Sequence, residues 1–165
     1  MMIARSISVV FGIGLLRPAP GTWGSLAALP MAYGLHVIAG PILLFAAIFV
    51  AFFLGWWATA SATKGQEDHD PSEIVIDEVV GQWIAILPVS LGASLAGAHI
   101  LALWPGWISA FVLFRLFDIW KPGPVGLADR RSDALGVMLD DVIAGGLAAM
   151  CVFVLAVFAH LGLAL

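Results

Sequence analysis

Two adjacent acid pairs, Asp77-Glu78 and Asp140-Asp141, each stand where a long apolar stretch begins. A carboxylate at a membrane boundary is expensive unless it has a partner or a task. Clustered hard oxygen ligands select Mg²⁺, Mn²⁺ or Ca²⁺, and the lack of a Cys or His cluster argues against zinc. Glu73 precedes Asp77 by four residues, so on a helix the two stack on one face with Glu78 about 100° around. A cation between them would relieve their repulsion; a solvated first turn, where acids favour the helix dipole, is the competing reading. Asp140 and Asp141 sit inside the last apolar segment, and at least one of two neighbours must face the interior whichever way the helix turns. Asp133, two turns earlier, either shares the face of Asp140 or caps the helix.

Positive groups for a phosphate come from Arg115 and Lys121, which with Asp118 between them are spaced i, i+3, i+6 along a helix that Pro122 then ends. Arginine clamps phosphate oxygens in pairs, lysine supplies a point charge, and Asp118 orients either cation or binds metal. The Gly- and Pro-rich run from Gly12 to Ser25 exposes backbone N–H groups before a helix starts, so Gly21 and Thr22 are candidate phosphate contacts, with Thr22 or Ser25 as a cap. No Gly-Lys-Ser/Thr closes that run, so it is not a Walker A loop. Cys151 has no arginine six residues on and lies in an apolar span, which speaks against a cysteine phosphatase. His69 is the only histidine among the charged clusters, and no Asp-x-Asp motif offers an aspartyl phosphate.

The elements that must carry these groups are membrane helices. Hydrophobic residues make up 62% of the 165 and charged residues 11%, with a mean hydropathy of +1.05; a soluble domain carries roughly 25% charged residues. The charges fall into three clusters, at 5–17, 64–78 and 115–141, separated by about five apolar segments. Segments 41–59, 79–97 with a kink expected at Pro88, and 142 onward are long enough to span, since 19 residues make roughly 28 Å of helix. Segments 26–39 and 99–114 are shorter, contain Pro30 and Pro105, and cross at a thin place or stay broken. If all five cross, every cluster lies on one face, cytoplasmic by the positive-inside rule, and His36, His99 and His160 reach the opposite interface. The expectation is one all-α, polytopic membrane helix bundle over 1–165, with no signal peptide removed. A net charge of −4 gives no footing for nucleic acid. Cluster 64–78 holds one cation against six anions, a surplus that a bound divalent ion would offset.

Taken together, Pro18-Ala-Pro20-Gly21-Thr22-Trp23-Gly24-Ser25, Glu73-Ile-Val-Ile-Asp77-Glu78-Val-Val-Gly81, Arg115-Leu-Phe-Asp118-Ile-Trp-Lys121-Pro122 and Gly136-Val-Met-Leu-Asp140-Asp141-Val-Ile-Ala-Gly145 resemble the phosphatidylglycerophosphatase A family. Four motifs in order, over roughly residues 12–146, make the resemblance specific. It implies a bacterial inner-membrane enzyme that hydrolyses the terminal phosphomonoester of phosphatidylglycerophosphate, giving phosphatidylglycerol and phosphate with Mg²⁺. On that reading Asp77, Glu78, Asp140 and Asp141, helped by Glu73 and Asp118, hold one or two Mg²⁺ that acidify an attacking water. Arg115, Lys121 and the N–H groups near Gly21 and Thr22 steady the phosphate. An ion-coupled transporter or channel is the rival, because acids in membrane helices also mark ion paths.

Overall fold

The computed structural model describes residues 2–65 and 71–163, and every regular element within them is helical. In order these are α1 (Met2–Ser8), a 3-10 turn (Val10–Leu15), α2 (Pro20–Ala62), α3 (Ile76–Ala96), a second 3-10 turn (Ile100–Leu103), α4 (Trp104–Trp120), α5 (Pro124–Asp129) and α6 (Ala134–Leu163). Four candidate spans are long and apolar enough to cross a membrane: α2, α3, α4 with its preceding turn, and α6. The all-α membrane bundle expected from the sequence is thus present. Glu67, Asp68, His69 and Asp70 lie outside the described residues.

Helix α2 is two arms. Ala39 (φ −151°) and Gly40 (φ 65°, ψ −155°) leave helical geometry, and Pro41 follows. The positive φ suits glycine, and a proline with no N–H to donate fits the first turn of a new helix. Were α2 straight, Gly24 and Gly55 would stand roughly 46 Å apart at 1.5 Å per residue. Instead both touch the head of α3: a Cβ on Gly24 would lie 2.9 Å from the Val75 side chain, and one on Gly55 3.1 Å from that of Ile76. The chain therefore doubles back, and its tip at Gly40 lies by Ser94 near the far end of α3. Segments 26–39 and 41–59 are these two arms, while segment 99–114 runs on to Trp120, so neither expected short segment is short. Helix α3 continues unbroken through Pro88, with helical backbone on both sides.

This hairpin gathers the start of α2, the start of α3, the end of α4 and the start of α6 at one end, where the described charges are. The other end is tied by neutral polar contacts: His36 Nδ1 lies 2.7 Å from Ser90 Oγ, and the Tyr33 and His99 rings are 6.4 Å apart. Phe114, Leu44, Ile86 and Met138 are fully buried in the core between the helices. Ile42, Phe45, Phe49 and Phe53 recur at helical spacing along the second arm of α2 and are all exposed. In water such a stripe would demand a partner; in hydrocarbon the acyl chains cover it.

Candidate active site

The site begins with a close crossing of α3 and α6. A Cβ on Gly145 would meet the Gly81 Cα at 3.0 Å, and one on Gly81 would lie 2.7 Å from the Asp141 carbonyl oxygen. Two glycines let the backbones touch. Asp77 is one turn before Gly81 and Asp141 one turn before Gly145, so the crossing sets these carboxylates opposite each other, 7% and 3% exposed. Asp77 Oδ1 accepts the Glu78 N–H and Asp140 Oδ1 accepts the Asp141 N–H, both at 3.0 Å. Single carboxylate oxygens of Asp77, Glu78 and Asp141 all lie within 4.8 Å of one another, and so do those of Asp118, Asp140 and Asp141.

The cations come from the end of α4. Arg115 Nη1 reaches Asp118 Oδ2 at 2.7 Å, Ser25 Oγ at 3.3 Å and Glu78 Oε1 at 4.0 Å, with the Arg115 and Asp118 side chains about 15% exposed. Helix α4 stops at Trp120, and Lys121 is its left-handed cap (φ 50°, ψ 53°). The residue before a proline avoids helical geometry, which explains why the stop falls one position earlier than Pro122. Lys121 Nζ is shared between Asp140 Oδ2, at 2.8 Å, and Asp129 Oδ1 on α5. Burial alone would lower the Lys121 pKa, but these two carboxylates outweigh it and raise it above the usual lysine value, so the ammonium stays charged at neutral pH.

The start of α2 closes the pocket. Ala19, Pro20, Gly21 and Thr22 line a cavity of about 280 Å³ together with Ser72, Ile74, Asp77, Glu78, Arg115, Asp118, Lys121, Asp140 and Asp141. That is roughly nine water volumes at about 30 Å³ each. The N–H groups of Gly21 and Thr22 belong to the first turn, which has no carbonyl one turn back to bind. A Cβ on Gly21 would collide with Glu78 Oε1 and come within 3.2 Å of Arg115 Nη1, so a larger residue there would push these two side chains aside.

Two sequence-based expectations change and one open alternative resolves. Glu73 does not stack with Asp77, because α3 starts only at Ile76. It pairs instead with exposed Arg5 at 3.1 Å and lines a separate cavity with Ser8 and Thr63. Neither Thr22 nor Ser25 caps α2, whose cap residue is Ala19; Ser25 Oγ donates back to the Gly21 carbonyl oxygen. Asp133 resolves to the capping alternative, since its Oδ1 accepts the Gly136 N–H at 2.9 Å while Arg131 holds both its oxygens. Asp129 was not anticipated at all. It lies on a six-residue helix behind two prolines, where no periodicity points back to Lys121.

A divalent ion suits this donor set. Among the described residues Asp141 Oδ1 and Glu78 Oε2 are buried without a hydrogen-bond partner. A buried carboxylate oxygen left bare costs about 1–3 kcal/mol or more; a cation shared among the triads would satisfy both. The acidic clusters can hold a metal, and the ion's identity does not follow from them.

The family model for phosphatidylglycerophosphatase A matches residues 6–156. A Haemophilus influenzae protein named phosphatidylglycerophosphatase A is 36% identical over 148 residues, covering 89% of this chain and 85% of its own length. An Escherichia coli protein of the same name is 34% identical, covering 87% and 77%. A Bacteroides thetaiotaomicron protein provisionally named phosphatidylinositol-3-phosphatase is 38% identical over 84% of each chain. No solved structure matches the chain. Matched over most of its length by that model and by two relatives bearing its name, this chain belongs to the phosphatidylglycerophosphatase A family of hydrolases.

Proposed function

We propose that the protein hydrolyses the terminal phosphomonoester of phosphatidylglycerophosphate to phosphatidylglycerol and phosphate, with Mg²⁺, at the cytoplasmic face of a bacterial inner membrane. The observation that carries this reading is the meeting of five carboxylates, Arg115, Lys121 and a helix start in one pocket at the charged end of a membrane bundle. When bound, Mg²⁺ neutralises phosphate charge and makes water more acidic. Asp77, Glu78, Asp118, Asp140 and Asp141 are the residues that would hold it. Arg115 and Lys121 swing from their carboxylates to the equatorial phosphate oxygens, and the Gly21 and Thr22 N–H groups add donors at the positive end of the helix dipole. Oxygen from water bonds to phosphorus as the phosphorus–glycerol oxygen bond breaks, and the water's proton passes by way of a pocket carboxylate to the leaving glycerol oxygen. The acyl chains stay in the bilayer beside the helices. The transport alternative is less favoured, because the described acids collect at one end and none lies near the middle of a span.

The test is phosphate release from phosphatidylglycerophosphate in detergent micelles with Mg²⁺ or EDTA, beside phosphatidylinositol 3-phosphate as a second substrate. Release that needs Mg²⁺, favours the glycerol lipid and vanishes in Asp141→Asn is the expected result. A folded wild type that releases nothing from either lipid would end the proposal, and preference for the inositol lipid would change its substrate.

A further inference from the structure

The two carboxylate triads are distinct except for one member. Asp77 and Glu78 belong to the first, Asp118 and Asp140 to the second, and Asp141 to both. Asp141 is 3% exposed, lines the pocket, and has an oxygen, Oδ1, with no hydrogen-bond partner. We propose that the pocket holds two divalent cations, one in each triad, with Asp141 as the carboxylate they share. The inference rests on the metal-dependent reading above and adds the number of ions and their order of binding.

Charge decides the number. Five carboxylates and two basic side chains line the pocket, a formal −3. One divalent ion leaves −1, which repels a phosphomonoester of about −2 charge; two leave +1, which attracts it. The order follows from existing partners. In the second triad Asp118 Oδ2 is held by Arg115 at 2.7 Å and Asp140 Oδ2 by Lys121 at 2.8 Å. In the first, among the described residues, the salt-bridge partner of Glu78 is Arg115, at the longer distance of 4.0 Å. An ion entering the second triad must displace both cations, so it binds after the first and more weakly. A phosphate that draws Arg115 and Lys121 onto itself frees those oxygens, so substrate and second ion favour each other's binding.

The experiment is a Mn²⁺ titration of the detergent-solubilised full chain, followed by electron paramagnetic resonance and calorimetry, with and without inorganic phosphate. A Glu67→Gln, Asp68→Asn, Asp70→Asn background keeps those three acids out of the count. The expected result is two Mn²⁺ per chain, the second at least about tenfold weaker, the worth of displacing a paired cation, with phosphate tightening the second. Two-ion sites hold their ions about 3.5–4 Å apart, so filling the second should broaden the resonance of the first. Asp118→Asn should remove only the weak ion and Glu78→Gln only the tight one, while Asp141→Asn should abolish the broadening. A single Mn²⁺ in the wild type, or two without broadening, overturns the proposal, and so does loss of both ions in Asp118→Asn alone. Two coupled Mn²⁺ in a protein that hydrolyses neither lipid would sink the activity and leave this site standing.

Discussion

Gly81→Ala tests whether the contact between α3 and α6 sets the site. The new methyl would lie 2.7 Å from the Asp141 carbonyl oxygen, where ordinary contact begins at 3.4 Å, and closer still to the Phe114 ring edge. The Phe114 ring is fully buried and the carbonyl belongs to the α6 backbone, so the helices must part by the better part of an ångström. Asp77 rides one turn above the contact and Asp141 supplies the carbonyl at it, so their carboxylates part with the helices. Overpacking of this kind costs about 1–3 kcal/mol of stability, whereas a misplacement of about 1 Å in a reacting constellation can cost about 100-fold in rate. Phosphate release should therefore fall about 100-fold in a variant that still purifies as a folded, slightly less heat-resistant protein. Gly146→Ala is the control, because nothing lies within 4 Å of its added methyl; it should be neutral or stabilise by up to about 1 kcal/mol. A folded Gly81→Ala enzyme within about threefold of wild type would refute the idea that this crossing positions the carboxylates.

Other outcomes follow from the same contacts. Asp77→Asn should insert and fold normally yet lose at least about 100-fold in kcat, as does removal of an electrostatic group from a reacting centre. Asp129→Asn should raise KM about tenfold with little change in kcat, and should add nothing in a Lys121→Ala background, since Asp129 acts only by holding that ammonium. Gln82 is fully buried with neither amide atom partnered, so Gln82→Met should leave the melting temperature unchanged or raise it, because an apolar side chain of like shape removes the bare polar atoms. Glu73→Gln should keep activity within about twofold and stability within about 0.5 kcal/mol, as expected for a surface pair with Arg5; a large loss would return Glu73 to the site.

The apolar segments and the two acid pairs were legible because exclusion of charge from hydrocarbon writes itself into the sequence. Asp77, Glu78, Asp118, Asp140 and Asp141 do converge, and so do Arg115, Lys121, Gly21 and Thr22. What could not be read depends on where elements end and on what meets across the bundle. Glu73 looked like a stacking partner only if α3 reached back to it, but Val75 is drawn off by its N–H bond to the Ser8 carbonyl, and the helix starts one residue later. Asp129 turns toward Lys121 only because a left-handed cap and two prolines fold α5 back. The contact of Gly81 with Gly145 joins residues far apart in sequence, and glycines such as Gly34 and Gly146, with nothing within 4 Å of an added Cβ, sit in apolar runs that look the same.

The hairpin in α2 has a consequence for biosynthesis. The tip at Ala39–Gly40 and the turn at Gly97–His99 carry no formal charge, and neither does any residue after Asp141. A chain of this topology can therefore thread these turns and the far end of α6 through the membrane without moving a Lys, Arg, Asp or Glu across the hydrocarbon, a step that costs about 2.5–3.5 kcal/mol per charge at the centre of an inserting helix. The acids of α3 meet Asp140 and Asp141 only when α6, the last described span in chain order, packs against them. Chemistry becomes possible only when that later span has docked.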